Sequence, residues 1–192
     1  NVEHFAWQTS WGVSWRLIGA MIMAHGDDKG LVLPPKVAPM QIVIVPIYRN
    51  EEGKNSVLPK VEEIQNKLEL NDIRIHVDDR EGLSPGYKFN DWELKGVPLR
   101  IEIGPKDIEN QKIVVAKRYN LEKIDLSFEE IEKIPLILDE IQVEMLKKAK
   151  EQAQNNTLEI TDYLEFKSKI EKGGFFNSPW CGKLECEDKI KE

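Results

Sequence analysis

The sequence predicts an α/β domain, and three observations carry that expectation. Gln41–Ile47 (QIVIVPI) is an unbroken apolar run, the pattern of a strand buried on both faces. Ile73–Val77 (IRIHV) and Leu99–Ile103 (LRIEI) alternate apolar with polar residues, as strands with two unlike faces do. Stretches with helical spacing lie between such runs, and strands alternating with helices imply a sheet with parallel crossovers.

In chain order, Val13–Ala24 (VSWRLIGAMIMA) is apolar nearly all round except for Arg16, which predicts a buried helix stopped at His25–Gly26. The breaker-rich GLVLPPKVAP reads as a linker. After the first strand, Val57, Val61, Ile64 and Leu68 recur at helical spacing within Ser56–Leu70, with Ser56 as the expected N-cap. Ser84–Gly96 supplies a Pro–Gly turn and a short helix, and Lys112–Lys117 adds one more strand. From Ser127, a long helix is expected with Phe128, Ile131, Ile134, Ile137, Leu138, Ile141 and Met145 on one face. Pro135 should kink or interrupt it. A polar stretch (EQAQNNT) then leads to a helical piece at Asp162–Ile170, a Gly-Gly turn and a cysteine pair. These features divide the chain into segments 1–38, 39–150 and 151–192, the last too short to be stable alone.

Composition narrows the function classes. With 41% hydrophobic and 32% charged residues the chain reads as a soluble cytoplasmic protein. It has no apolar run near the roughly 20 residues that span a bilayer and no signal-peptide pattern at its start. Two cysteines placed together near the end argue against an oxidising compartment. The net charge of −7 argues against a general nucleic-acid binder. Residues 84–118 alone are net positive, with seven Lys or Arg against five Asp or Glu, and a local basic patch can attract phosphate on an acidic protein.

The run from Thr9 to Pro39 (TSWGVSWRLIGAMIMAHGDDKGLVLPPKVAP) resembles the third conserved motif of class II aminoacyl-tRNA synthetases. Its form is that of prolyl-tRNA synthetases of the archaeal/eukaryotic type. The resemblance continues through QIVIVPIY, VDDR, PGYKFNDWELKGVPLRIEIGPKD and Trp180–Cys186, and so covers essentially the whole chain. One departure is Trp15, where many members have Thr; it falls between the functional positions Ser14 and Arg16. The resemblance implies a class II anticodon-binding domain with a mixed sheet and flanking helices over 39–150. Before it stands a catalytic-domain remnant, and after it the start of a zinc-type domain. The family's first two motifs belong upstream, so the chain is expected to be the C-terminal part of a longer enzyme and inactive by itself.

The family joins proline to ATP as prolyl-adenylate and then passes the prolyl group to tRNA. Protein groups there mainly position reactants and neutralise developing charge. The resemblance gives Arg16 the ATP γ-phosphate, which suits a fixed, permanently charged fork. An isolated Arg in an apolar helix start is also costly without a partner. Gln8, Thr9 and Ser14 would hydrogen-bond ATP, which would carry Mg2+. Helix capping by Thr9, Ser10 or Ser14 is the plainer alternative. Ser10 and Gly12 would face proline; for Gly12 a simple turn remains open. His25, Asp27 and Asp28 read as a turn joining this motif to the linker. Partners implied are tRNA(Pro), proline and ATP, with a homodimer for the full enzyme and no membrane.

Unpaired RNA bases are read by stacking and by hydrogen bonds to their edges. Tyr87–Lys106 has that chemistry: Phe89 to stack, Glu93 to accept from a base amino group, Arg100 and Lys106 to donate. A proline anticodon presents two successive guanines, whose Watson–Crick N–H donors suit a carboxylate and whose O6 and N7 suit Arg or Lys. The resemblance points to the same four positions. Plainer readings make Phe89 a core residue, leave Glu93 and Lys106 solvated, and put Arg100 on the polar face of its strand. Arg118 or Lys123 is expected to help, with Lys117–Arg118 touching only phosphate. Cys181 and Cys186 form half of a tetrahedral metal site by spacing. By resemblance they are the first of two pairs that hold a structural Zn2+ in the full protein, so little zinc is expected here. The alternative to a ligase is a stand-alone RNA-binding module derived from such a domain.

Overall fold

The computed structural model describes residues 4–191. Asn1–Glu3, at the start of the first expected segment, and Glu192, at the end of the last, lie outside the described residues. Five strands form the main sheet: β1 (Ile42–Pro46), β2 (Ile75–Val77), β3 (Leu99–Ile103), β4 (Lys112–Lys117) and β5 (Lys123–Ser127), in the order β2-β1-β3-β4-β5. The first three are parallel, as the strand–helix rhythm predicts. The last two run antiparallel, which that rhythm does not predict, because the β3–β4 and β4–β5 connections are too short for a crossover.

Register explains how the sheet is covered. Val77, Ile44, Ile101, Val115 and Ile124 form one cross-strand row on one face. Against this face pack α2 (Glu51–Glu69), a 3-10 helix (Phe128–Lys133) and α5 (Ile134–Asn155), through Val57, Ile64, Leu68, Ile131, Ile134 and Ile141. The opposite face carries Val43 and Val45, covered by Trp92 of α3 (Pro85–Leu94) and by Val97. β1 is therefore buried throughout, as its apolar run predicts.

Several boundaries differ from expectation for local reasons. α2 starts at Glu51 because the Asn50 side chain accepts from the Gly53 N–H at 2.9 Å. Ser56 is not its cap but sits inside it, its hydroxyl donating to the Gly53 carbonyl at 2.9 Å. Pro135 does not kink the long helix; it is the second residue of α5, where its missing N–H has no intrahelical role. The interruption lies just before it, in the 3-10 turn. A short helix α4 (Pro105–Glu109) and the strand β5 were not expected.

The apolar segment near the start is helical as α1 (Arg16–His25), but none of its residues is buried. Leu17, Ile18 and Met23 are exposed, because neither hydrophobic core draws on α1. The stretch read as a linker is instead laid along the domain. Leu31 and Leu33 donate to the Leu94 and Gly96 carbonyls, and Arg74 donates to the Pro35 and Ala38 carbonyls at 2.9–3.1 Å. Gly96 is required there: its φ is +73°, and a Cβ would stand 2.6 Å from Leu31.

The chain divides into two compact units, one running to Met145 and the other beginning at Leu146. Residues 4–38 fall within the first of these units. In the second unit, β6 (Thr157–Glu159) pairs in parallel with β7 (Phe175–Asn177). Helix α6 (Tyr163–Ile170) is capped by Asp162, and α7 spans Leu184–Lys191. Among the described residues no helix is long and apolar enough to cross a membrane.

Candidate functional site

The α3 face of the sheet carries a second cross-strand row: His76, Val43, Arg100, Ala116 and Lys123. Ala116 is small and stands between two long cationic side chains, and α3 stops at Leu94. The result is a cavity of about 180 Å³ floored by Val43, Val97 and Ala116. Its walls are Glu93, Arg100 and Arg118, with Lys29, Lys117 and Lys123 around it. One carboxylate among five cations is a composition suited to an anionic, hydrogen-bonding ligand.

Arg100 is the hub. The alternation of β3 predicted a polar face, but α3 covers that face, so Arg100 and Glu102 are buried at 6% and 7% exposure. Its Nη1 donates to Glu93 Oε1 at 2.8 Å, and its Nε and Nη2 donate to Glu102 Oε1 at 3.1 and 2.9 Å. Lys123 Nζ donates to both Glu102 oxygens at 2.8 and 3.0 Å. The Arg100 guanidinium also lies over the Phe89 ring, 4.3 Å from its centroid. Most of its donors are thus engaged within the protein, and its evident task is to hold Glu93 and Phe89 in place. Phe89 is half-buried against the α3-side core, so the core reading of that residue is partly right.

Two features complete this site: an expected residue in an unexpected role, and a buried acid that was not expected. Arg118, only 3% exposed, does not project toward solvent phosphate. Its Nη atoms donate to the two Asp27 carboxylate oxygens at 2.6 and 2.8 Å, and its Nε donates to the Glu93 carbonyl at 2.8 Å. The Arg118 hydrogen bonds hold the Asp27 carboxyl at about 2, below its usual 3.8. Asp27 does sit in the expected turn, exchanging backbone hydrogen bonds with Gly30. Its partner lies 91 residues away, and nothing local in the sequence announces that.

Behind α3, Asp78 is wholly buried. Burial pushes its carboxyl up, but hydrogen bonds from Arg80 and Trp92 outweigh this and keep it well below the usual carboxylate range. Lys88 closes the cluster by donating to the Asp78 carbonyl at 2.9 Å. This cluster locks α3, and hence Phe89 and Glu93, against the end of β2.

The other expected positions fall elsewhere. Lys106 is exposed on α4, past the end of β3, and is not part of the cavity wall. Gln8, Thr9, Ser10, Gly12 and Ser14 lie in an exposed segment without regular structure. The Ser14 hydroxyl accepts from the Arg16 backbone N–H at 3.4 Å, a local turn contact; the N-cap of α1 is Trp15, and no side chain caps the helix. Arg16 itself is exposed, so burial places no demand for a partner on it. Cys181 and Cys186 are both exposed free thiols. A hydrogen bond between them lowers the Cys181 thiol and raises that of Cys186. Two thiols do not fill a tetrahedral zinc site. Among the described residues no group of three or more His, Cys, Asp or Glu could hold a metal ion. The residues present therefore do not fit a complete zinc centre.

Comparison with known proteins bears on this face directly. Residues 41–136, which contain the whole sheet, match the anticodon binding domain family. The chain is 52% identical over its full length to a proline–tRNA ligase of Cenarchaeum symbiosum. It is 51% identical to that of Acetoanaerobium sticklandii over 96% of the chain, and 45% identical to that of Chloroflexus aurantiacus over its full length. It spans 38–40% of the length of these relatives. With half of its residues matched, including every strand of the cavity-bearing sheet, the chain belongs to the anticodon-binding domain family.

Proposed function

We propose that this chain reads the anticodon of tRNA(Pro) as part of a proline–tRNA ligase. The observation that carries the reading is the Glu93–Arg100–Phe89 constellation beside a cavity with an apolar floor and a cationic rim. A guanine entering there would place its Watson–Crick N–H donors against the Glu93 oxygen that Arg100 leaves unbonded. Its ring would extend the Arg100–Phe89 stack, the usual way proteins hold unpaired RNA bases. Lys29, Lys117 and Lys123 would meet O6, N7 or phosphate. Lys106, on α4, would serve the neighbouring nucleotide rather than the same one.

The names of the relatives, proline–tRNA ligases, support the wider assignment of joining proline to tRNA(Pro); ATP as the energy source, a cytoplasmic location and a homodimeric assembly belong to the same proposal. In that enzyme Arg16 would take the ATP γ-phosphate, Gln8, Thr9 and Ser14 would hydrogen-bond ATP with its Mg2+, and Ser10 and Gly12 would face proline. The exposed apolar side chains of α1 fit a segment that other parts of such an enzyme would cover. Zinc is assigned no role in this reading.

The test is binding of the chain to two RNA stem-loops that differ only in carrying two adjacent unpaired guanines or two adenines. The guanine loop should bind about tenfold or more tightly, since a good two-point contact to a base discriminates by roughly 1–3 kcal/mol. Equal affinities would contradict the proposal.

A further inference from the structure

We propose that Asp27 is a positioning residue for base reading: by holding Arg118 in a two-point ion pair, it keeps the Glu93 carboxylate available to the RNA. The inference rests on the anticodon reading above and adds to it a residue from outside the matched 41–136 region.

Arg118 is a buried guanidinium at the wall of the cavity, and Asp27 is the carboxylate that neutralises it. Its Nε already touches the main chain of Glu93, at that residue's carbonyl. The Glu93 side chain in turn uses Oε1 for Arg100. Two guanidinium groups thus flank one acid, and Asp27 occupies one of them. If the Asp27 charge is removed, a buried cation remains that must find another anion. Glu93 is the acid whose side chain shares the cavity wall with it. Arg118 turning to that carboxylate would fill its second oxygen, and a guanine N–H would lose its acceptor. The effect falls on discrimination between bases rather than on general attraction for RNA, because the lysines around the cavity keep their charges; Asp27 Oδ1 also accepts from the Lys29 backbone N–H at 2.9 Å, a bond that an Asn amide oxygen can keep.

The full chain carrying Asp27→Asn would be measured against the guanine and adenine stem-loops, with its melting temperature recorded in parallel. The guanine-over-adenine ratio should fall about tenfold, the scale of one lost two-point base contact. Asp27→Glu, which restores the charge, should recover most of the ratio. The double variant Asp27→Asn with Arg118→Gln removes the orphaned cation and should discriminate better than Asp27→Asn alone; it also serves if the single variant does not fold. An unchanged ratio in Asp27→Asn would overturn the inference. So would equal weakening toward both RNAs with a lowered melting temperature, which is the signature of a purely structural role. If the unsubstituted chain does not discriminate the two loops, the anticodon reading itself fails, and this inference with it.

Discussion

Asp27 shows how one side chain can tie the first segment of the chain to the sheet. Its carboxyl is held at about 2 against the usual 3.8, chiefly by the hydrogen bonds from Arg118. A carboxyl depressed in the folded state stabilises that state above its unfolded value and loses the contribution as pH falls through the folded one. The Asp27–Arg118 link should therefore be fully present above about pH 4 and lost between there and pH 2. Carboxyl-carbon NMR titration should show Asp27 titrating near 2, and the Arg118→Gln chain should show it back in the ordinary aspartate range. A midpoint near 4 in the unsubstituted chain would mean that the pair does not persist in solution. Glu93 and Arg100 stand out by residue type, but what surrounds them does not. Alternation in LRIEI looks the same whether its polar side meets water or a helix carrying its own charges. Only the packing of α3 shows that Arg100 and Glu102 are buried and mutually satisfied.

At the scale of elements, the cavity depends on strand register. Val43, Arg100, Ala116 and Lys123 come from four strands and share a row only because β1–β3 pair in parallel and β3–β4–β5 antiparallel. Ala116→Leu would project an isobutyl group into the void and leave the helix-facing core untouched. Because the void accepts the added methylenes, stability should change by less than about 1 kcal/mol, whereas affinity for the guanine loop should fall at least about tenfold. Calorimetry and RNA titration of the same preparation check both parts; undiminished binding would place the site elsewhere. The elements that could be read in advance carry periodicity, alternation, apolar runs or turn signals: β1, the body of α2, β2, α3, β3, β4, the core face of α5 and α6. β5 (KIDLS) escaped because two of its five residues are charged and it lies at the sheet edge, where the apolar pattern is weakest. α4 has only five residues, too few to show a helical period. The start of α2 was misplaced because Ser56 imitates an N-cap that Asn50 in fact provides.

At the scale of the molecule, an acidic chain carries a small cationic site, so recognition must come from a few placed groups rather than from bulk charge. The stretch read as a linker is part of that placement, since Asp27, Lys29 and the strap through Leu33 brace the end of α3 and the cavity wall. Breaker residues announced an absence of helix and strand there, and the backbone bonds to Leu94 and Gly96 had no sequence signature. In the proposed function the Glu93 carboxylate reads the Watson–Crick edge of an unpaired guanine. The most direct measurement replaces each loop guanine in turn with inosine, which lacks only the exocyclic amino group, and compares affinities for the unsubstituted chain and for Glu93→Gln. One inosine should weaken binding by about 1–2 kcal/mol in the unsubstituted chain and by much less in Glu93→Gln. Equal affinity of the unsubstituted chain for guanine and inosine at every position would contradict it.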